Sequence, residues 1–160
     1  MGLLERDEVL RELRALVEQA REGRGHVVLL RGEAGIGKTT VATALAKDAA
    51  RDTHVLWGRC DDLLAPRPWG PLWDMAPSDP ALAEALGKDD RDGVRQALLD
   101  LFTRSHRPTV AVFEDVHWAD GATLDLLTLL GRRIARTHTL LVLTFREPAP
   151  DDPLAVVLGD

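Results

Sequence analysis

The sequence has little of what would tie it to secretion, membranes or nucleic acids. It contains a single cysteine, Cys60, which excludes an intramolecular disulfide and leaves no second thiol at zinc-binding spacing. No apolar run approaches the roughly 20 residues of a membrane span, and the first residues do not form a signal peptide. The net charge of −6 argues against binding DNA or RNA by the electrostatics of this chain. We therefore expect a cytoplasmic protein without membrane or direct nucleic-acid contacts.

One glycine-rich stretch matches the phosphate-binding pattern G-x-x-x-x-G-K-[ST] without a mismatch. The matching stretch and the residue after it, Thr40, are Gly32, Glu33, Ala34, Gly35, Ile36, Gly37, Lys38, Thr39 and Thr40. The apolar run His26–Arg31 precedes it and apolar residues at helical spacing follow it, so the motif stands between a strand and a helix. There, backbone N–H groups and the helix N-terminus converge on phosphate oxygens. We predict a nucleotide-binding loop, with Lys38 at the β- and γ-phosphates and the Thr39 hydroxyl at Mg²⁺.

Predicted strands and helices alternate along the rest of the chain. Apolar residues at helical spacing open the chain and stop at Gly23, which predicts an N-terminal amphipathic helix. Further strands are predicted at Thr53–Gly58, Thr109–Glu114 and Thr139–Thr144. Asp79–Pro80 is typical of a capped helix start, whereas three prolines predict a loop with little regular structure over 59–71. The alternation predicts a parallel sheet covered by helices on both faces.

Two adjacent acids, Glu114 and Asp115, end the predicted third strand. Ligands of open α/β sheets bind at the carboxyl ends of the strands, which is where these acids would lie. A bound nucleotide needs its Mg²⁺ held and an attacking water oriented. We predict that one carboxylate serves the metal and the other the water, and the sequence leaves open which does which. Asp120, a few residues later, better fits the N-cap of the next helix.

Together these stretches resemble the AAA-type ATPase module of STAND signalling proteins, and especially the Orc1-like module of large LuxR-type transcriptional regulators. The stretches that carry the likeness are Leu3–Arg6, Gly32–Thr39, Trp57–Cys60, Trp69–Leu72, Val110–Asp120 and Phe145–Arg146. They extend over nearly the whole chain. The Glu-Asp pair departs from many relatives, which carry Asp first.

The resemblance implies a three-layer α/β P-loop NTPase fold of the AAA type. Residues 1–25 would form an N-terminal motif and amphipathic helix, and residues 26–160 the P-loop ATPase core. It also implies that the final strand and the helical lid lie beyond Asp160, so that this segment is C-terminally incomplete. The helix predicted to start at Asp152 reaches Asp160 after barely two turns.

The resemblance also gives roles to two arginines. Arg6 would lie near the adenine, although it fits a solvated arginine in the first helical turn equally well. Arg146 would be the sensor residue that faces the γ-phosphate. With Lys38, Glu114 and Asp115, Arg146 completes the expected catalytic set.

The expected function is binding of ATP or ADP with Mg²⁺ and weak Mg²⁺-dependent ATP hydrolysis, within a signalling or transcriptional regulator. An alternative is a switch module that responds to bound ATP or ADP without hydrolysing it. A small-molecule kinase is a third reading, disfavoured because no acceptor pocket is evident in the sequence. Protein partners or self-association are expected through regions outside this segment.

Overall fold

The computed structural model describes residues 3–104 and 106–146, in which strands and helices alternate. The α-helices of this part are α1 (Leu3–Arg21), α2 (Lys38–Ala49), α3 (Gly70–Met75), α4 (Pro80–Gly87), α5 (Arg91–Thr103) and α6 (Gly121–Arg133). The strands are β1 (His26–Arg31), β2 (His54–Arg59), β3 (Thr109–Glu114) and β4 (Thr139–Phe145). Short 3-10 helices lie at Ala76–Ser78, Val116–Trp118 and Ile134–Arg136.

None of the helices within residues 3–104 and 106–146 is long and apolar enough to cross a membrane. The helix predicted from Asp152 lies outside the described residues.

The four described strands form one parallel sheet in the order β1-β4-β3-β2. Arg31 lies opposite Phe145 in β4, and Arg59 lies opposite Glu114 in β3. The carboxyl ends of all four strands therefore meet at one edge of the sheet. The phosphate-binding loop after β1 and the acids after β3 come to that edge on either side of β4.

The two central strands are buried along their whole length, and their side chains alternate between two cores. Val112 and Val142 point to the core formed with α1 and α2. Phe113 and Leu143 point to the core formed with α3, α4, α5 and α6. Helices thus cover both faces of the sheet, which confirms the predicted three-layer α/β fold.

Helix α3 begins at Gly70, within the stretch 59–71 that was predicted to be a loop. The loop prediction is therefore wrong for residues 70–71. Trp69, Leu72 and Met75 are buried, and they bring the helix against β2. The contact is close at Gly58, where a Cβ would lie 2.3 Å from the carbonyl oxygen of Pro71. A six-residue helix is unstable alone. In this protein the helix is stabilised by burial of its apolar side chains. The three prolines from which a loop was predicted give no information about that burial.

Asp79 joins the start of α4 to the end of α5, in agreement with its predicted role as an N-cap. Its carboxylate accepts a hydrogen bond from the Leu82 N–H at 3.0 Å and another from Arg104 Nη2 at 3.0 Å. The residue is only 2% exposed. The side chain therefore both caps α4 and pairs a guanidinium at the end of α5.

We predict that Asp79→Ala lowers the free energy of unfolding by about 2–3 kcal/mol, because it removes a cap and a buried charge-assisted hydrogen bond. Urea unfolding followed by circular dichroism measures the change. The exposed Asp125 on α6 gives a matched control, since Asp125→Ala should change the same free energy by less than about 0.5 kcal/mol. A loss for Asp79→Ala no larger than that of the control would contradict the role assigned to Asp79.

Candidate nucleotide-binding site

The loop between β1 and α2 has the geometry of an anion-binding turn. Gly35 and Gly37 have φ of 80° and 99°, in the left-handed region that glycine adopts without strain. Gly37 precedes the first residue of α2, so the positive end of the helix dipole faces the loop. Lys38 Nζ donates hydrogen bonds to the carbonyl oxygens of Gly32 and Glu33, the latter at 2.8 Å. The loop therefore closes around an ammonium group and presents positive charge.

Glu114, at the end of β3, is a buried carboxylate with three hydrogen-bonding neighbours. Its Oε1 accepts a hydrogen bond from the Thr39 hydroxyl at 2.5 Å and lies 3.2 Å from Arg59 Nη2. Its Oε2 accepts a hydrogen bond from Trp57 Nε1 at 3.2 Å. Burial by itself would raise the pKa of Glu114, but the three hydrogen bonds outweigh burial and lower it. The carboxylate is therefore ionised at neutral pH.

Asp115 follows Glu114 in a left-handed turn, with φ of 57°. A residue with a side chain seldom adopts this conformation, so the surrounding structure has to hold it. One such contact is the hydrogen bond that the Asp115 N–H donates to the Thr144 hydroxyl on β4 at 3.0 Å. The Asp115 side chain is half-buried and lines the same cavity as Glu114. Two adjacent acids thus face one space, and Asp115 is the more exposed of the two.

A cavity of about 260 Å³ lies between the loop and the acids. It is lined by Ala34, Gly35, Gly37, Lys38, Thr39, Thr40, Arg59, Glu114, Asp115 and Arg146. Gly32, Glu33 and Ile36 of the predicted loop are not part of the lining. A larger cavity of about 410 Å³ lies between α1 and α2, away from the acids. The smaller cavity is the one that joins the predicted residues.

The two arginines assigned from the resemblance both lie at the loop. Arg146 directly follows β4 and lines the cavity, and its N–H donates a hydrogen bond to His117 Nδ1 at 3.3 Å. Arg6 is not part of the lining, but its Nη2 would lie 3.4 Å from a Cβ placed on Gly37. Its Nε is buried and has no hydrogen-bond partner in the described part of the chain.

Arg59 and Trp57 both contact Glu114, and no role for either was predicted from the sequence. These contacts could have been predicted from the position of the two residues beside the carboxyl end of the predicted second strand. In a parallel sheet that end lies at the same edge as the end of the third strand, which carries Glu114. Cys60 comes next and is buried, and burial is the main cause that raises the pKa of its thiol to about 12. This thiol stays protonated and is not a nucleophile.

The residues of the cavity fit a polyphosphate and a hard divalent cation. Three cations, Lys38, Arg59 and Arg146, face two carboxylates, Glu114 and Asp115, which leaves an excess of one positive charge. The Thr39 hydroxyl and the carboxylates are hard oxygen donors of the kind that Mg²⁺ prefers. Within residues 3–104 and 106–146 no group of three or more His, Cys, Asp and Glu side chains could hold a metal. A hydroxyl and two carboxylates suit an ion that keeps several waters and shares a ligand's phosphates, as Mg²⁺ does.

Comparison with solved structures shows the same fold in distant proteins. The chain is similar to PCH-2 of C. elegans, with a TM-score of 0.53 and 17% identity over 95% of this chain and 40% of that chain. It is also similar to a chain of Drosophila ORC bound to AT-rich DNA and Cdc6, with a TM-score of 0.53 and 14% identity over 94% of this chain and 50% of that one. At these identities the likeness concerns the fold alone.

Comparison of sequences gives the family. An uncharacterized protein of Rhizobium meliloti (strain 1021) is 26% identical over 90% of this chain and 18% of its own length. The chain thus spans about a fifth of that protein and half or less of the two structures above. The sequence profile of the AAA ATPase domain matches residues 2–143, which include the loop, both acids and most of β4. With its fold and its phosphate-binding loop in agreement, the chain belongs to the AAA ATPase domain family.

Proposed function

We propose that this domain binds ATP or ADP together with Mg²⁺ at residues 32–40 and hydrolyses bound ATP slowly. The observation that carries the proposal is the hydrogen bond between Thr39 and Glu114, which are 75 residues apart in the sequence. It joins the loop that would hold the phosphates to an acid that would serve the metal. Convergence of these two features is what a nucleotide–metal site requires. Membership in the AAA ATPase family supports the same chemistry.

We assign Glu114 to the metal side of the site and Asp115 to the water side. Glu114 contacts Thr39, and the Thr39 hydroxyl is the group of this motif that would bind Mg²⁺. Asp115 is more exposed, so a water can reach its carboxylate within the cavity. Bound Mg²⁺ would supply positive charge to the β- and γ-phosphate oxygens. Asp115 would accept a proton from the attacking water. The water oxygen would form a bond to the γ-phosphorus while the bond between that phosphorus and the β–γ bridging oxygen breaks.

The cations around the loop would hold the rest of the nucleotide. Lys38 would exchange the carbonyl oxygens of Gly32 and Glu33 for phosphate oxygens, which bind an ammonium more strongly because they are charged. Arg146 lines the cavity and would neutralise charge on the γ-phosphate. By the family resemblance, Arg6 would lie near the adenine, and its Nη2 lies 3.4 Å from the position of a Cβ on Gly37 at the loop.

A switch module that binds ATP or ADP without turnover is the second candidate. Lys38 is hydrogen-bonded to loop carbonyls and Glu114 to three donors, so binding of phosphate and Mg²⁺ would exchange some of these contacts for contacts with the ligand. Such an exchange of partners can set a conformation whether or not hydrolysis follows. We further propose that the domain acts within a STAND-type signalling or transcriptional regulator, a proposal supported by the likeness of Trp57–Cys60 and Val116–Asp120 to that group.

Lys38→Ala should weaken binding of both Mg-ATP and Mg-ADP by about tenfold or more, because it removes a charge-assisted contact to phosphate. Isothermal titration calorimetry measures the dissociation constants. Lys47→Ala is the matched control, since Lys47 is exposed on the same helix and should leave both constants unchanged. Equal affinities for wild type and Lys38→Ala would sink the placement of the phosphates.

Asp115→Asn should keep Mg-ATP affinity within about threefold of wild type and slow single-turnover phosphate release about 100-fold, because it removes the proton acceptor. Glu114→Gln should instead raise the Mg²⁺ concentration needed for half-maximal binding. Asp125→Asn on α6 serves as the control for loss of one exposed carboxylate. If Glu114→Gln and Asp115→Asn exchange these effects, the two assignments are reversed.

The same assay separates the candidate functions. Nucleotide binding by the wild type without any phosphate release would favour the switch. Transfer of phosphate to an added small-molecule acceptor, with no release to water, would instead favour a kinase. A wild type that binds neither nucleotide would overturn the proposal as a whole.

A further inference from the structure

Arg59 reaches from solvent into the cavity and contacts the buried acid. It is the last residue of β2 and lies opposite Glu114 in the parallel register. Its side chain is 57% exposed, whereas that of Glu114 is 4% exposed, and Nη2 lies 3.2 Å from Oε1. The guanidinium also lines the cavity with Lys38 and Asp115. Arg59 is therefore a cation placed between a buried carboxylate and the space assigned to phosphate.

The oxygen that Arg59 contacts is the one that faces the loop. Glu114 Oε1 carries both the Thr39 hydrogen bond and the Arg59 ion pair, while Oε2 carries the Trp57 hydrogen bond. A divalent cation beside Thr39 would have to share Oε1 with the guanidinium. Two positive charges at one oxygen repel each other, so binding of one weakens binding of the other.

The guanidinium has donors to spare for phosphate. Arginine carries five N–H donors in a planar fork that suits carboxylate and phosphate oxygens at once. The 3.2 Å contact from Nη2 to Glu114 Oε1 uses one part of the fork, and more than half of the side chain stays exposed. Arg59 can thus hold Glu114 and a phosphate oxygen together, which is the bridging role that a metal ion would otherwise have.

We propose that Arg59 and Mg²⁺ compete for Glu114, and that Arg59 allows the site to bind ADP without a metal. The inference rests on the proposed function, since it concerns the same nucleotide site. It makes Arg59 a positioning residue that sets how strongly nucleotide binding depends on Mg²⁺. Removing Arg59 weakens metal-free binding because the bridge is lost, and it strengthens Mg²⁺-dependent binding because the competitor is lost.

The ratio of the ADP dissociation constant in EDTA to that in Mg²⁺ is the decisive quantity, because both effects raise it. Calorimetric titration of ADP into wild type and Arg59→Gln, in each buffer, should show a ratio about tenfold higher in the variant, the value of one charge-assisted contact. Arg59→Lys keeps the charge but lacks the fork, so its ratio should fall between the two. Circular dichroism checks that each variant is folded, and Arg59→Lys carries the test if Arg59→Gln is not.

Arg146→Gln is the matched control, because it removes a cation from the same cavity without touching a Glu114 contact. Any change that it makes in ADP affinity should be the same in both buffers, so the ratio should stay at the wild-type value. An unchanged ratio in Arg59→Gln, or a ratio raised equally by Arg146→Gln, would overturn the inference. So would a wild type that binds ADP in Mg²⁺ but not in EDTA. A wild type that binds in neither buffer would instead overturn the proposed function.

Discussion

The parallel register of the sheet is the constraint on which the whole site depends. Since β3 lies between β2 and β4, the end of β3 is flanked by Arg59 on one side and Thr144 on the other. Side chains alternate between faces along a strand, so a slip of one residue would turn Glu114 away from Thr39. The two apolar cores prevent such a slip, because it would send the buried residues of β3 to the wrong face. Packing of the core thus fixes the geometry of the acids.

Electrostatics inside the cavity follow from the burial of one carboxylate. Glu114 is stabilised as an anion by donors from α2 and β2, which offset the loss of water around it. The same donors occupy the oxygens that a metal ion would use. The contacts that stabilise the Glu114 carboxylate within the protein therefore compete with its affinity for a metal, and substitution of Arg59 measures that competition.

Family membership and site geometry support different conclusions about this domain. The fold is shared with proteins of 14% and 17% identity, so the likeness to them concerns the fold alone. Fold alone does not give function, so the nucleotide chemistry proposed here rests on the contacts among Lys38, Thr39, Glu114 and Asp115. The wider role in a regulator rests on motif likeness, which contacts within one domain do not address.

The sequence by itself determined the features that are local in the chain. Apolar runs and helical spacing gave the strands and most helices, the glycine pattern gave the loop before Lys38, and Asp79 could be identified as a cap from its neighbours. The sequence also predicted that the acids lie beside the loop, because the carboxyl ends of parallel strands meet at one edge of the sheet. Only the tertiary structure decided which acid touches Thr39, that Arg59 pairs with Glu114, and that α3 forms at all. These depend on strand register and on burial against distant residues, which no local pattern in the sequence encodes.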